Sequence, residues 1–107
     1  MDTMRIRGLE DGRAALAAAK ARGARVTLAS IPDGAPSAGS QWFAALTAEL
    51  AAEFPDTLAQ AVLDCADSPG AALGALRSGI RVISYDGPDR ARMEALAASL
   101  GARLVDV

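Results

Sequence analysis

Four aspartates are the residues of this sequence best suited to chemistry, because each lies in a Gly-, Pro- or Ser-containing segment that follows an apolar run. The segments are SIPDGAPSAGS at 30–40, DCADSP at 64–69 and SYDGPD at 84–89. If the apolar runs are parallel strands, their carboxyl ends meet at one edge of a sheet, where open α/β sheets bind ligands. The ligand-binding candidates are therefore Asp33, Asp64, Asp67, Ser68, Asp86 and Gly87.

Three interpretations of these aspartates remain open. Carboxylates gathered at one edge predict a site for a hard cation such as Mg²⁺, and with it a metal-assisted enzyme. Alternatively, Asp67 or Ser68 caps a helix that begins at Pro69, and Asp86 does the same before the next helix. Backbone N–H groups at those helix starts are also suited to a phosphate, although neighbouring carboxylates repel an anion. Asp64 is the best functional candidate, because it directly follows an apolar strand and burial there can tune a carboxyl group.

Cys65 and Tyr85 are the other reactive side chains near this edge. A thiolate near a helix start is stabilised, but Asp64 and Asp67 flank Cys65 and the sequence has no histidine to act as its base. We therefore expect Cys65 to be buried as a small apolar residue. Tyr85 suits either a phenolic acid or a hydroxyl at the core boundary. No residue is assigned as catalytic, and the sequence leaves the identity of any cofactor or metal unknown.

Composition sets the class of protein. The 107 residues, 51% hydrophobic and 22% charged, are typical of a single globular domain. A net charge of -2 argues against duplex nucleic acid or an anionic membrane as a partner, because both require a basic surface. No apolar run is long enough for a signal peptide or a membrane span, which predicts a cytoplasmic location.

A recurring phrase, in which an Ala/Leu-rich helix is followed by a glycine, an arginine and an apolar run, predicts alternating helices and strands. Gly23, Gly79 and Gly101 are expected to end the helices in the left-handed conformation. The apolar runs predict strands at 25–31, 58–63, 80–85 and 102–107. At 3–7, apolar and charged residues alternate, which is typical of an edge strand.

Helices are predicted at 10–22, 41–54 and 89–100, with a further helix starting at Pro69. In the second, Phe43, Leu46 and Leu50 fall on one face, Ser40 is the expected N-cap and Pro55 ends the helix. These elements predict a small single-domain α/β protein, residues 1–107, with a mostly parallel sheet of four to five strands. Two strand orders remain open: a doubly wound flavodoxin-like or Rossmann-like order, and a sequential order like half of a TIM barrel. The sequential order would leave an apolar sheet face that only a second chain could bury.

Trp42 lies off the apolar face of its helix, and this position favours a subunit contact or a cover over the preceding loop. An alanine-rich core gains stability from association, so we expect a homodimer with Trp42 at the interface.

The segments VLDCADSPGAALGALRSGIRVI (62–83), DGRAALAAAKARGARVTL (11–28) and SQWFAAL (40–46) resemble a family of short uncharacterised bacterial α/β proteins. The resemblance spans most of the chain and implies the α/β fold, but no activity. The expected function is that of a small ligand-binding or assembly module without catalysis of its own. The alternative is a metal-assisted enzyme that uses the acidic cluster.

Overall fold

Helices and strands alternate along the chain in the computed structural model, which describes residues 2–31 and 39–107. Strands β1 to β5 span Asp2–Ile6, Val26–Ser30, Leu58–Asp64, Val82–Ser84 and Arg103–Leu104. Helices α1 to α4 span Leu9–Ala21, Ser40–Glu53, Pro69–Arg77 and Arg90–Ser99. The small α/β domain predicted from the sequence is confirmed.

The strands form one sheet in the order β1-β2-β3-β4-β5, and every neighbouring pair is parallel. This is the sequential order, one of the two that the sequence left open. Because right-handed crossovers between successive neighbours always return on the same side, the helices must cover a single face of the sheet. The predicted edge strand is β1, where four of the five residues are exposed.

The core lies between that face and the helices. Leu28, Leu63 and Ile83 of three successive strands join buried helical residues in one apolar cluster, the largest of them Leu16, Phe43, Leu50, Leu76 and Met93. Small side chains let the helices pack closely. A Cβ on Gly12 of α1 would lie 2.4 Å from Leu50 Cδ1 of α2, so the buried side chain of Leu50 occupies the space that a larger residue at position 12 would need.

The second face of the sheet carries a smaller apolar cluster formed by Ala29, Val62 and Val82. The strand register places these three side chains in one row, with Arg5 of β1 at one end and Arg103 of β5 at the other. Ala29 and Val62 are 0% exposed within a single chain. The sequence argument that only a second chain could bury this face is therefore wrong.

Helix ends follow the sequence predictions in part. Gly23, Gly79 and Gly101 have positive φ, as expected, and α2 ends before Pro55. Ser40 is not the N-cap of α2: the helix begins at Ser40 itself, and Gly39 with φ of 89° occupies the cap position.

The start of α4 also departs from the prediction that Asp86 caps it. The helix begins only at Arg90, and its N-cap is Asp89, whose side chain makes no capping hydrogen bond. Asp89 instead turns the chain in the left-handed region with φ of 56°, which aspartate tolerates better than most residues. The helix therefore begins one residue later than the predicted residue 89. None of the helices in residues 2–31 and 39–107 is long and apolar enough to cross a bilayer.

Candidate functional site

A pocket of about 180 Å³ opens at the carboxyl ends of β3 and β4. Asp64 is the last residue of β3, Ser84 is the last residue of β4, and the two are paired in the sheet register. Paired residues on neighbouring strands direct their side chains to the same face. The polar side chains that line the pocket are Arg5, Asp64, Ser84, Asp86, Arg90 and Asp106.

Asp64 is held by three contacts and is only 9% exposed. Its Oδ2 accepts a hydrogen bond of 2.6 Å from Arg5 Nη1, and its Oδ1 accepts one of 2.8 Å from the backbone N–H of Ala66. Its own backbone N–H donates to Ser30 Oγ at 2.9 Å. A buried polar group is stabilised by such hydrogen-bond partners, so Asp64 and Arg5 form the fixed base of the pocket.

Arg5 reaches Asp64 by crossing β2, since β2 lies between β1 and β3 in the sheet. The same Nη1 atom donates to the Ser30 carbonyl at 2.7 Å. Its Nε and Nη2 atoms have no hydrogen-bond partner within the part of the chain that the structure describes. The guanidinium therefore retains donors beside the pocket.

The side-chain hydroxyl of Ser84 lacks a hydrogen-bond partner in the described part of the chain. Ser84 is 7% exposed, and its Oγ has no hydrogen-bond partner among residues 2–31 and 39–107. Leaving a buried hydroxyl unpaired costs about 1–3 kcal/mol. A polar group of a ligand in the pocket would give this hydroxyl the partner that it lacks.

Arg90 fixes the outer wall of the pocket. Its Nη1 donates to the Tyr85 carbonyl at 2.6 Å, its Nη2 to Asp106 Oδ1 at 3.3 Å and its Nε to Glu94 Oε1 at 2.9 Å. The two loops beneath the pocket are also joined, because the Asp86 N–H donates to the Ala66 carbonyl at 2.9 Å. The site thus rests on paired backbone and charged groups.

The predicted site residues are only partly brought together. Asp64 and Asp86 line the same pocket. Asp67 is exposed in the loop after β3. The pKa of Tyr85 is raised chiefly by burial and to a smaller extent by the charges of Asp89, Asp67 and Asp86. Asp33 lies outside the described residues.

Ser68 and Gly87 have structural roles. The Ser68 Oγ accepts a hydrogen bond of 3.1 Å from the Ala71 N–H and caps α3, whose first residue is Pro69. The helix-cap interpretation is therefore confirmed for Ser68. Gly87 packs against the ring of Tyr85, because a Cβ at this position would lie 2.6 Å from three ring and hydroxyl atoms.

The reactive side chains next to the pocket are held in unreactive states. Burial, and secondarily the charge of Asp64, raises the pKa of the Cys65 thiol to about 12. The expectation that Cys65 is buried as a small apolar residue is confirmed. Burial also raises the pKa of Tyr85, and its hydroxyl donates to the Pro88 carbonyl at 2.6 Å.

The charges of the pocket do not suit a metal ion. Within residues 2–31 and 39–107, no group of three His, Cys, Asp or Glu side chains is placed to hold one. Two arginines and three aspartates line the pocket, so positive and negative charges are nearly balanced. The described part of the site is a mixed donor and acceptor surface.

Sequence reasoning missed Arg5, Ser84, Arg90 and Asp106. The residue Arg5 was recognised only as the charged side of an edge strand, and Ser84 only as the start of a loop. The one signal in the sequence was the position of Ser84 near the end of a predicted strand. The pairing of Ser84 with Asp64 is seen only in the sheet register.

Trp42 lies away from this pocket, in the first turn of α2. Its side chain is 39% exposed, and its ring stands 6.4 Å from that of Phe43 at a tilt of 46°. The expectation that it lies off the core face is confirmed. Its proposed place at a subunit interface stays a prediction.

Comparison of the chain with protein-family models, with curated proteins and with solved structures gave no match. The resemblance to short bacterial α/β proteins therefore stays a prediction, and the function has to be argued from the residues of the site.

Proposed function

We propose that the protein binds a small polar molecule in the pocket at the carboxyl ends of β3 and β4 and has no catalysis of its own. The observation that carries this proposal is the buried hydroxyl of Ser84, which has no hydrogen-bond partner among the described residues and belongs to a residue that lines the pocket. Native proteins seldom leave such a group unpaired. A ligand that supplies its partner explains why the serine is there.

The state of the nearby groups supports binding rather than catalysis. A general base needs a pKa near the working pH and freedom to exchange a proton. Both carboxylate oxygens of Asp64 already accept hydrogen bonds, and the Cys65 thiol stays protonated at neutral pH. The metal-assisted alternative finds no three-ligand group in the described residues, so we do not propose it.

Thermal unfolding in the presence of small probes tests this function. The probes are myo-inositol, glycine, inorganic phosphate and Mg²⁺, which cover uncharged, zwitterionic, anionic and cationic ligands. At ten times its dissociation constant, a probe that binds only the folded state should raise Tm by roughly 5 °C. The proposal requires at least one probe to do so with the wild type and not with Ser84→Ala; no shift with any probe would contradict it.

The homodimer and the cytoplasmic location stay predictions from the sequence. The exposed indole of Trp42 supports self-association through the start of α2. A light-scattering mass of two chains that falls to one chain in Trp42→Ala is the expected result, and a wild-type mass of one chain would contradict it.

A further inference from the structure

The charges around the pocket restrict the class of ligand. Both guanidinium groups already face carboxylates, Arg5 at 2.6 Å from Asp64 and Arg90 at 3.3 Å from Asp106. The side chain of Asp86 adds a further negative charge at the same pocket. An anion would meet compensated cations and a repelling carboxylate, and a cation would lack a group of ligands in the described residues. An uncharged ligand avoids both costs.

The hydrogen-bonding capacity that remains in the pocket calls for groups that both donate and accept. Each oxygen of a carboxylate can accept two hydrogen bonds, and those of Asp64 each have one described partner. Within residues 2–31 and 39–107, neither the Nε and Nη2 donors of Arg5 nor Ser84 Oγ has a hydrogen-bond partner. A hydroxyl group is the simplest group that can donate to a carboxylate while it accepts from a guanidinium.

The spacing of these groups indicates two neighbouring hydroxyls. Asp64 and Ser84 are paired on adjacent strands, which lie about 4.8 Å apart. One hydroxyl of a ligand can lie between Asp64 and Arg5 while the next one along its carbon chain exchanges a hydrogen bond with Ser84. The staggered rotamers of a serine allow its hydroxyl to turn toward such a group.

We propose that the ligand is an uncharged molecule with hydroxyl groups on neighbouring carbons, of the size of a cyclitol or a monosaccharide. The volume of about 180 Å³ supports this size, since pockets for drug-sized ligands span about 300–1,000 Å³. The inference rests on the proposed function, because it names the ligand class of the same pocket.

An NMR titration tests the ligand class. The backbone amides of the labelled protein are followed while the cis vicinal diol of cyclohexane is added, and separately with cyclohexanol, which has the same ring and one hydroxyl fewer. Loss of one hydrogen bond should weaken binding about tenfold, so the diol should bind about tenfold more tightly than the mono-alcohol. In Ser84→Ala this preference should disappear. The control variant Ser78→Ala, which changes an exposed serine at the end of α3, should retain it.

The other outcomes separate this inference from the proposed function. If phosphate or Mg²⁺ shifts the amides of Asp64 and Ser84 and the diol does not, the pocket binds a ligand but the polyol class is wrong. If the diol and the mono-alcohol bind equally in the wild type, or if Ser84→Ala retains the preference, the assignment of a hydroxyl to Ser84 is wrong. If none of these probes shifts the pocket amides, both the ligand class and the proposed function are wrong.

Discussion

Two buried serines at the carboxyl edge of the sheet differ in their hydrogen bonds, and this difference gives a test at a single residue. Ser30 Oγ accepts from the Asp64 N–H at 2.9 Å, whereas Ser84 Oγ has no described partner. We expect Ser30→Ala to lower the free energy of unfolding by about 1–2 kcal/mol and Ser84→Ala to raise it by about 1 kcal/mol or leave it unchanged. Urea unfolding measures both values. Equal destabilisation by the two substitutions would mean that the Ser84 hydroxyl is already paired.

The buried thiol of Cys65 gives a prediction about pH. An ordinary cysteine has a pKa of about 8.5, and burial raises the pKa of Cys65 to about 12. The folded state therefore holds this proton where the unfolded state loses it. The resulting stability is fully present below about pH 8.5 and is lost as the pH rises toward 12.

Alkylation by iodoacetamide at pH 8 should be much slower for the folded protein than for the protein unfolded in guanidinium chloride. In Cys65→Ala, the fall of stability above pH 8.5 should be shallower. Alkylation of the folded protein as fast as that of the unfolded chain would refute the buried, protonated thiol.

At the scale of single residues, the sequence pointed to Asp64 at the end of its strand, where the structure places it, and missed its partner Arg5. The contact between Arg5 and Asp64 joins residues 59 positions apart. No local pattern encodes such a pair, because it depends on how the strands are ordered in the sheet. The sequence also does not indicate that the Ser84 hydroxyl lacks a hydrogen-bond partner among the described residues, because the partners of a buried hydroxyl depend on the fold.

The ion pair of Arg5 and Asp64 connects two strands that are not neighbours, and a double-mutant cycle can measure it. The side chain of Asp64 is 12% exposed and that of Arg5 is 35% exposed, so solvent screens the pair only in part. Arg5→Met, Asp64→Asn and the double variant should give a coupling free energy of about 1–2 kcal/mol. The control is the exposed pair of Arg13 and Glu53, which should show a much smaller coupling. Equal coupling in the two cycles would contradict the structural role given to Asp64.

The close contact of α1 with α2 is tested by a glycine pair. A Cβ at Gly12 would lie 2.4 Å from Leu50 Cδ1, whereas a Cβ at Gly74 of α3 would meet nothing within 4 Å. Gly12→Ala should lower the free energy of unfolding by about 1–3 kcal/mol through overpacking. The matched change Gly74→Ala should raise it by about 0.5–1 kcal/mol, because alanine is the better helix former. Stabilisation by both changes would show that α1 and α2 pack less tightly than described.

Element positions were largely predictable, and their starts were less so. Glycine signals marked the ends of three helices correctly, because only a residue without Cβ adopts positive φ without cost. The predicted starts of α2 and α4 were each wrong by one residue, since Gly39 and Asp89 take unusual backbone angles there. Capping signals compete with tertiary contacts. The Oγ of Ser40 is an example, because it lies 2.9 Å from the Oγ of Ser78, the C-cap residue of α3.

For the whole molecule, hydrophobic patterns predicted a parallel sheet but left its strand order open. Both orders bury the same apolar runs against helices, so composition cannot separate them. The described structure has the sequential order, and Ala29 and Val62 on its second face are 0% exposed within a single chain. The placement of Asp64 and Asp86 at one edge follows from parallel strands alone and was therefore predictable.

An uncharged polyol should bind at the carboxyl ends of β3 and β4, and one titration tests this over the whole molecule. Amide shifts of the labelled protein are recorded as myo-inositol is added. We expect changes that centre on Asp64, Ser84 and their loop neighbours and that vanish in Ser84→Ala. Changes centred on the apolar groove between α2 and the start of β3, which Ala48 and Ala59 help to line, or no change at any amide, would contradict it.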